Sequence, residues 1–306
     1  MPGPLSGMIP APHSPFDPQG GVVVRVVEQQ AELLKESGLR AVFVGGTTGE
    51  CASMTVAERK ALADAWCGAA GGSFQVAAHV GANCQAEAIE LARHAREAGA
   101  AAAAALAPSY FKPATVRDLV EFCVPIAAAA DPLPFYFYDI PGMTNVRLSM
   151  VEFLHEARSR IPNLRGLKFS HTDLVELLQC VQFDDGAFDV LFGADECYLA
   201  GLAYGVRGMI GSSYNFAAPL YHRIDQAFAR GDLATARRLQ VESIAMIKTL
   251  AEFGYLAASK AVMGMIGVDC GPVRSPLREL SREERLALWE RLSPLDAFPR
   301  PLRKPS

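Results

Sequence analysis

One feature constrains the fold of this chain more than any other. Short apolar runs alternate with amphipathic stretches, in order, eight times over. The runs fall at 7–11, 41–45, 75–80, 101–107, 134–140, 164–169, 189–192 and 208–211. Helical periodicity fills the stretches between and after them, at 22–37, 55–70, 85–98, 115–130, 149–159, 173–181, 196–204 and 217–230. Eight strand–helix units predict an α/β fold, a (β/α)8 TIM barrel. The run at 100–105 is all alanine, a helix-favouring residue. It reads as a strand because a helix already ends at Gly99 and Pro108 follows. Its small side chains would leave room for bulkier neighbours inside the barrel. Beyond 230 the pattern becomes purely helical, at 233–252, 255–265 and 282–291, with Gly271-Pro272 and Ser275-Pro276 breaking the chain. Residues 1–230 therefore read as the barrel and 231–306 as a C-terminal three-helix extension. The proline-rich, basic tail at 299–306 reads as frayed.

Composition excludes several classes of function. Half of the 306 residues are hydrophobic, ample for a large core. The formal net charge is −4 with no block of one sign, which argues against a nucleic-acid partner. No basic segment leads into an apolar one at the N-terminus, so no signal peptide is read there. The longest apolar run, about eleven residues around 98–108, is too short for a bilayer that needs about 20. The seven cysteines form no CxxC pair, and a reduced, cytoplasmic protein is the simplest reading. The six histidines show no ligand spacing, so no metal is expected. His79, inside a predicted strand, reads as a satisfied core histidine.

Lys168 sits in the apolar strand RGLKFS. Burial lowers a lysine's pKa and exposes the neutral amine, which can condense with a ketone to an electron-withdrawing iminium. The alternative is a lysine at a strand end reaching solvent. Tyr138, at the end of another strand, is either a proton relay or a barrel aromatic with its hydroxyl satisfied. The turn GGTTGE at 45–50 follows a strand and precedes a helix. Its backbone N–H groups and the Thr47 and Thr48 hydroxyls suit a carboxylate or phosphate, though a plain βα turn is equally consistent. It has neither a P-loop lysine nor GxGxxG spacing, so no nucleotide is implied. Asp195 and Glu196 follow the seventh strand as polyol ligands or as helix N-terminal acids. Ser212 and Ser213 follow the eighth as pocket donors or N-caps.

Together GGTTGE, APSYFKP, YDIPG, GLKFS, FGADE and GMIGSSYN resemble the dihydrodipicolinate synthase/N-acetylneuraminate lyase family, in its order and spacing, over roughly the whole chain. LPFYFYDIPGMTNVRL and NLRGLKFSHTDL are most similar to the lyase branch, particularly its animal members. The resemblance implies cleavage of N-acetylneuraminate to N-acetylmannosamine and pyruvate. The partners are then a keto acid and an amino sugar, and the reaction needs no cofactor beyond a covalent Schiff base. It implies Lys168 as the Schiff-base lysine, Tyr138 as proton relay, and Thr47 and Thr48 as the carboxylate-holding pair. It also implies Ser170, Gly193, Asp195, Glu196 and Ser212 as sugar-binding positions. Tyr110 would reach a neighbouring subunit's site in a homotetramer. Met143 stands where synthases show the arginine that holds a second substrate. Asp139 replaces a common asparagine, and Asn145 a frequent glycine. The alternatives are dihydrodipicolinate synthase, another 2-keto-3-deoxy sugar acid aldolase or dehydratase, and a catalytically silent keto-acid-binding barrel.

Overall fold

A computed structural model of the chain describes residues 5–72 and 74–305. The first four residues of the N-terminal segment read above, and Ser306 of the tail, lie outside the described residues. The barrel comprises β1 (Gly7–Pro10), α1 (Val26–Glu36), β2 (Ala41–Val44), α2 (Val56–Ala70), β3 (Gln75–His79), α3 (Gln85–Glu97), β4 (Ala102–Leu106), α4 (Val116–Ala130) and β5 (Phe135–Asp139). It continues through α5 (Pro141–Thr144), α6 (Met150–Ala157), β6 (Leu164–Phe169), α7 (Leu174–Gln182), β7 (Asp189–Phe192), α8 (Tyr198–Ala203), β8 (Gly208–Gly211) and α9 (Tyr214–Ala229). Then come α10 (Leu233–Glu252), α11 (Tyr255–Met265) and α12 (Arg282–Leu292).

The eight strands are parallel, in the order β1-β8-β7-β6-β5-β4-β3-β2, and β1 lies against β2, so the sheet nearly closes. Strand period two divides the side chains into two layers. Ile9, Phe43, Tyr136, Tyr138, Leu191 and Ile210 fill the inside, beside Ala41, Ala77, Ala102 and Ala104. The alanine run is thus a strand, and its small inward side chains accommodate the aromatic rings from β2 and β5. The outward set, such as Phe137, Leu167 and Phe169, packs under the helices. Helix starts follow local chemistry. Thr55 with Glu58, Thr115 with Asp118, and Ser281 with Glu284 form capping boxes on α2, α4 and α12.

Three sequence expectations need correction. The first helix begins at Val26, not 22, because Val22 pairs with Phe16 across a turn held by Asp17. The last barrel helix begins at Tyr214, not 217, because its first turn is separated from the rest by a kink at Ala217, two residues before Pro219. The tail is docked rather than frayed. Leu302 is buried, the Trp289 indole N–H donates to its carbonyl at 3.0 Å, and the Arg303 N–H donates to Met265 O at 2.9 Å. Proline removes donors but leaves carbonyls and apolar side chains free to pack. Leu302→Ala should therefore lower the unfolding free energy by about 2 kcal/mol, read from the denaturant midpoint. An unchanged midpoint would mean the tail contributes nothing.

Candidate active site

At the C-terminal ends of the strands lies a cavity of about 300 Å³. Its position follows from the barrel, whose loops converge at that face. Tyr138 and Lys168 are direct register partners on β5 and β6, and both point inward. Lys168 is 4% exposed. Its Nζ stands 3.8 Å from the Phe43 ring centroid and 3.9 Å from that of Tyr138. Burial lowers its pKa to about 7, opposed by the charge of Asp195. An appreciable share of neutral amine is therefore present near neutral pH.

Burial raises the Tyr138 pKa well above that of an ordinary phenol, although hydrogen bonding works against the shift. The resting group is thus a neutral hydroxyl, 3.2 Å from Thr47 Oγ1. Thr47 and Thr48 line the same cavity from the turn after β2. That turn needs its glycines. Gly45 has φ +69°, and a Cβ on Gly46 would stand 2.9 Å from the Phe43 ring. The turn closes where the Glu50 N–H donates to Thr47 O at 2.9 Å.

On the opposite wall Ser170, Gly193, Asp195, Glu196 and Ser212 line the cavity. Ser170 Oγ is buried, and a Cβ on Gly193 would fall 2.1 Å from it. Glycine at 193 preserves the hydroxyl's place. Asp195 is buried, and its Oδ2 accepts from the Ser213 N–H at 3.0 Å and the Ser213 hydroxyl at 2.5 Å. Ser213 stands at the N-cap position of α9, but its hydroxyl is spent on Asp195 and makes no side-chain cap. Glu196 is exposed at the rim and its carboxylate is free to meet a ligand.

Tyr110 is not brought to this cavity within the chain. It is 78% exposed on the loop after β4, edge-on to Phe111. His79 is buried and neutral beneath the turn, its Nδ1 donating to Gly45 O at 2.8 Å. Its Nε2 has no hydrogen-bond partner among the described residues, so it is only half satisfied. From the extension, Tyr255, Ile247 and Ala251 wall the cavity from α10 and α11, and no sequence feature marked them. The Tyr255 hydroxyl lies 2.7 Å from Ser212 Oγ. Nothing in the helical periodicity marks which residue of a distant helix faces the barrel mouth.

The Dihydrodipicolinate synthetase family profile matches residues 4–294. The chain belongs to this family. It is similar to N-acetylneuraminate lyase of Gallus gallus, 40% identical over 284 residues, 91% of this chain and 92% of the relative. It superposes on Proteus mirabilis N-acetylneuraminate lyase with a TM-score of 0.94 at 38% identity, covering 96% of this chain and 99% of that one. It also matches a Ruminococcus gnavus sialic acid aldolase solved as a catalytic lysine mutant, at TM-score 0.88, 28% identity and 93% coverage of both chains. No helix among the described residues is long and apolar enough to cross a membrane.

Two measurements test the electrostatics and packing of the site. In NMR of lysine labelled at Cε, Lys168 should titrate at about 7, whereas a midpoint of about 10, the free-lysine value, would remove the desolvation argument. Gly211→Ala would place a Cβ 1.9 Å from Asp195 Oδ1. It should cost about 2 kcal/mol of stability by displacing the carboxylate from Ser213, seen as a lowered melting temperature.

Proposed function

We propose that the chain is a class I aldolase that cleaves N-acetylneuraminate to N-acetylmannosamine and pyruvate through a Schiff base on Lys168. The observation that carries this reading is the register pairing of Tyr138 with a desolvated Lys168 at the cavity floor. The open-chain substrate sets its carboxylate on the Thr47–Thr48 turn. The neutral Lys168 amine attacks the keto carbon, and loss of water leaves an iminium. Tyr138 rests as a phenol, so it serves as a relay. It takes the C4 hydroxyl proton while passing its own to the bound carboxylate, with Thr47 in hydrogen-bond reach. The C3–C4 bond breaks, its electrons move into the iminium to give an enamine, and N-acetylmannosamine leaves. Protonation at C3 and hydrolysis then return pyruvate and the free amine. Glu196, Ser170 and Ser212 hold the polyol tail, Gly193 leaves it room, and Asp195 stiffens that wall. Their binding energy orients the bond to be broken.

Met143 in place of a synthase-type arginine favours the lyase over dihydrodipicolinate synthase. On this reading residues 1–230 carry the chemistry, and 231–306 close the cavity from above. The exposed Tyr110 and Phe111 are covered by a neighbouring copy in a cytoplasmic homotetramer.

Incubation with pyruvate and borohydride should add one reduced pyruvyl group to the intact mass, and Lys168→Ala should abolish it. Release of N-acetylmannosamine from N-acetylneuraminate should disappear in the same variant. A wild-type protein that is folded, binds pyruvate and forms no adduct would instead be a silent keto-acid-binding barrel.

A further inference from the structure

The last residue of the GGTTGE turn does not face the cavity. Glu50 has φ +54°, a left-handed conformation uncommon for a residue with a Cβ. That conformation turns its carboxylate away from the cavity and toward the C-terminal extension. There Oε1 lies 2.8 Å from Nζ of Lys260 on α11, with the side chains 1% and 2% exposed. Oε2 accepts from the Arg274 N–H at 2.8 Å. Lys260 also donates to Pro272 O at 2.6 Å and lies 4.2 Å from the Phe16 ring centroid. The Lys260 ammonium is thus held by an ion pair and one hydrogen bond, whereas Glu50 Oε1 meets it as an ion pair without forming a hydrogen bond among the described residues. A buried ion pair is a weak source of net stability compared with apolar packing, but removing one partner is costly. The pair is thus suited to holding geometry.

The geometry it holds is that of Thr47. Glu50 donates its N–H to Thr47 O at 2.9 Å, and Thr47 Oγ1 is 3.2 Å from the Tyr138 hydroxyl. A chain of contacts thus runs from α11 through Glu50 to the hydroxyls of the turn. We propose that Glu50 and Lys260 are positioning residues, which use the C-terminal extension to set the Thr47–Thr48 hydroxyls for the keto-acid carboxylate. This rests on the Schiff-base reading above, since it assigns those hydroxyls to that carboxylate.

The test compares wild type with Glu50→Gln, Lys260→Met and the double variant Glu50→Gln/Lys260→Met. Each is titrated with pyruvate under borohydride, and the half-saturating concentration is read from the adduct mass. The single variants leave one buried polar partner unmatched and should melt lower. The double variant removes both charges and should regain much of the melting temperature. Half-saturation should nevertheless rise about tenfold in all three, because a displaced turn loses its aim. A double variant that melts like the wild type and is trapped at the wild-type half-saturation would overturn the inference and leave the pair as packing. Should the double variant not fold, Glu50→Gln, assayed below its melting temperature, decides by the same criterion. Absence of any adduct in the wild type would overturn the Schiff-base reading, and this inference with it.

Discussion

The site depends on the removal of one ammonium group from water. Lys168 extends from β6 into an apolar barrel mouth, against the faces of Phe43 and Tyr138. Aromatic faces attract a cation, but desolvation outweighs that attraction and leaves the amine only weakly basic. Parallel pairing of β5 with β6 sets Tyr138 beside Lys168 directly, and period two turns both inward. The same face of β5 carries Tyr136, whose hydroxyl is taken up by Asp189 at the far end of the barrel at 3.1 Å. Two tyrosines two residues apart thus have different fates. One is tied into the floor, and the other is left beside the amine.

Around the amine, volume is traded between glycine and polar side chains. Gly193 makes way for the Ser170 hydroxyl, and Gly211 for the Asp195 carboxylate. Asp195 is itself raised in pKa by burial and drawn back by hydrogen bonds from Ser213. A carboxylate so held is a fixed wall whose charge reaches Lys168. Glu196, one residue on, has no such constraint and stays at the rim.

The extension is more than an appendage. Tyr255 closes the cavity roof beside Ser212, and Lys260 is buried against the turn that carries Thr47 and Thr48. Arg274 reinforces the same joint through Glu58, the residue that completes the α2 capping box. The first couples α11 to the loop after β8, and the second couples the extension to a turn near the beginning of the chain. Neither leaves a periodic signal, because each depends on one side chain crossing between elements distant in sequence.

What the sequence by itself determined is whatever is local and periodic. Eight short apolar runs, the amphipathic helical stretches between them and the glycine and proline breaks specify strands and helices. Their order then admits few packings besides a barrel. Lys168, Tyr138 and the GGTTGE turn were legible because each breaks a local expectation: a charge in an apolar strand, a phenol at the end of another, a glycine-rich turn. The docking of Leu302 and the satisfaction of Asp195 by Ser213 were decided by tertiary structure. So were the roof at Tyr255 and the Glu50–Lys260 pair. They arise from distances between residues far apart in the chain, and only the closed barrel sets those distances.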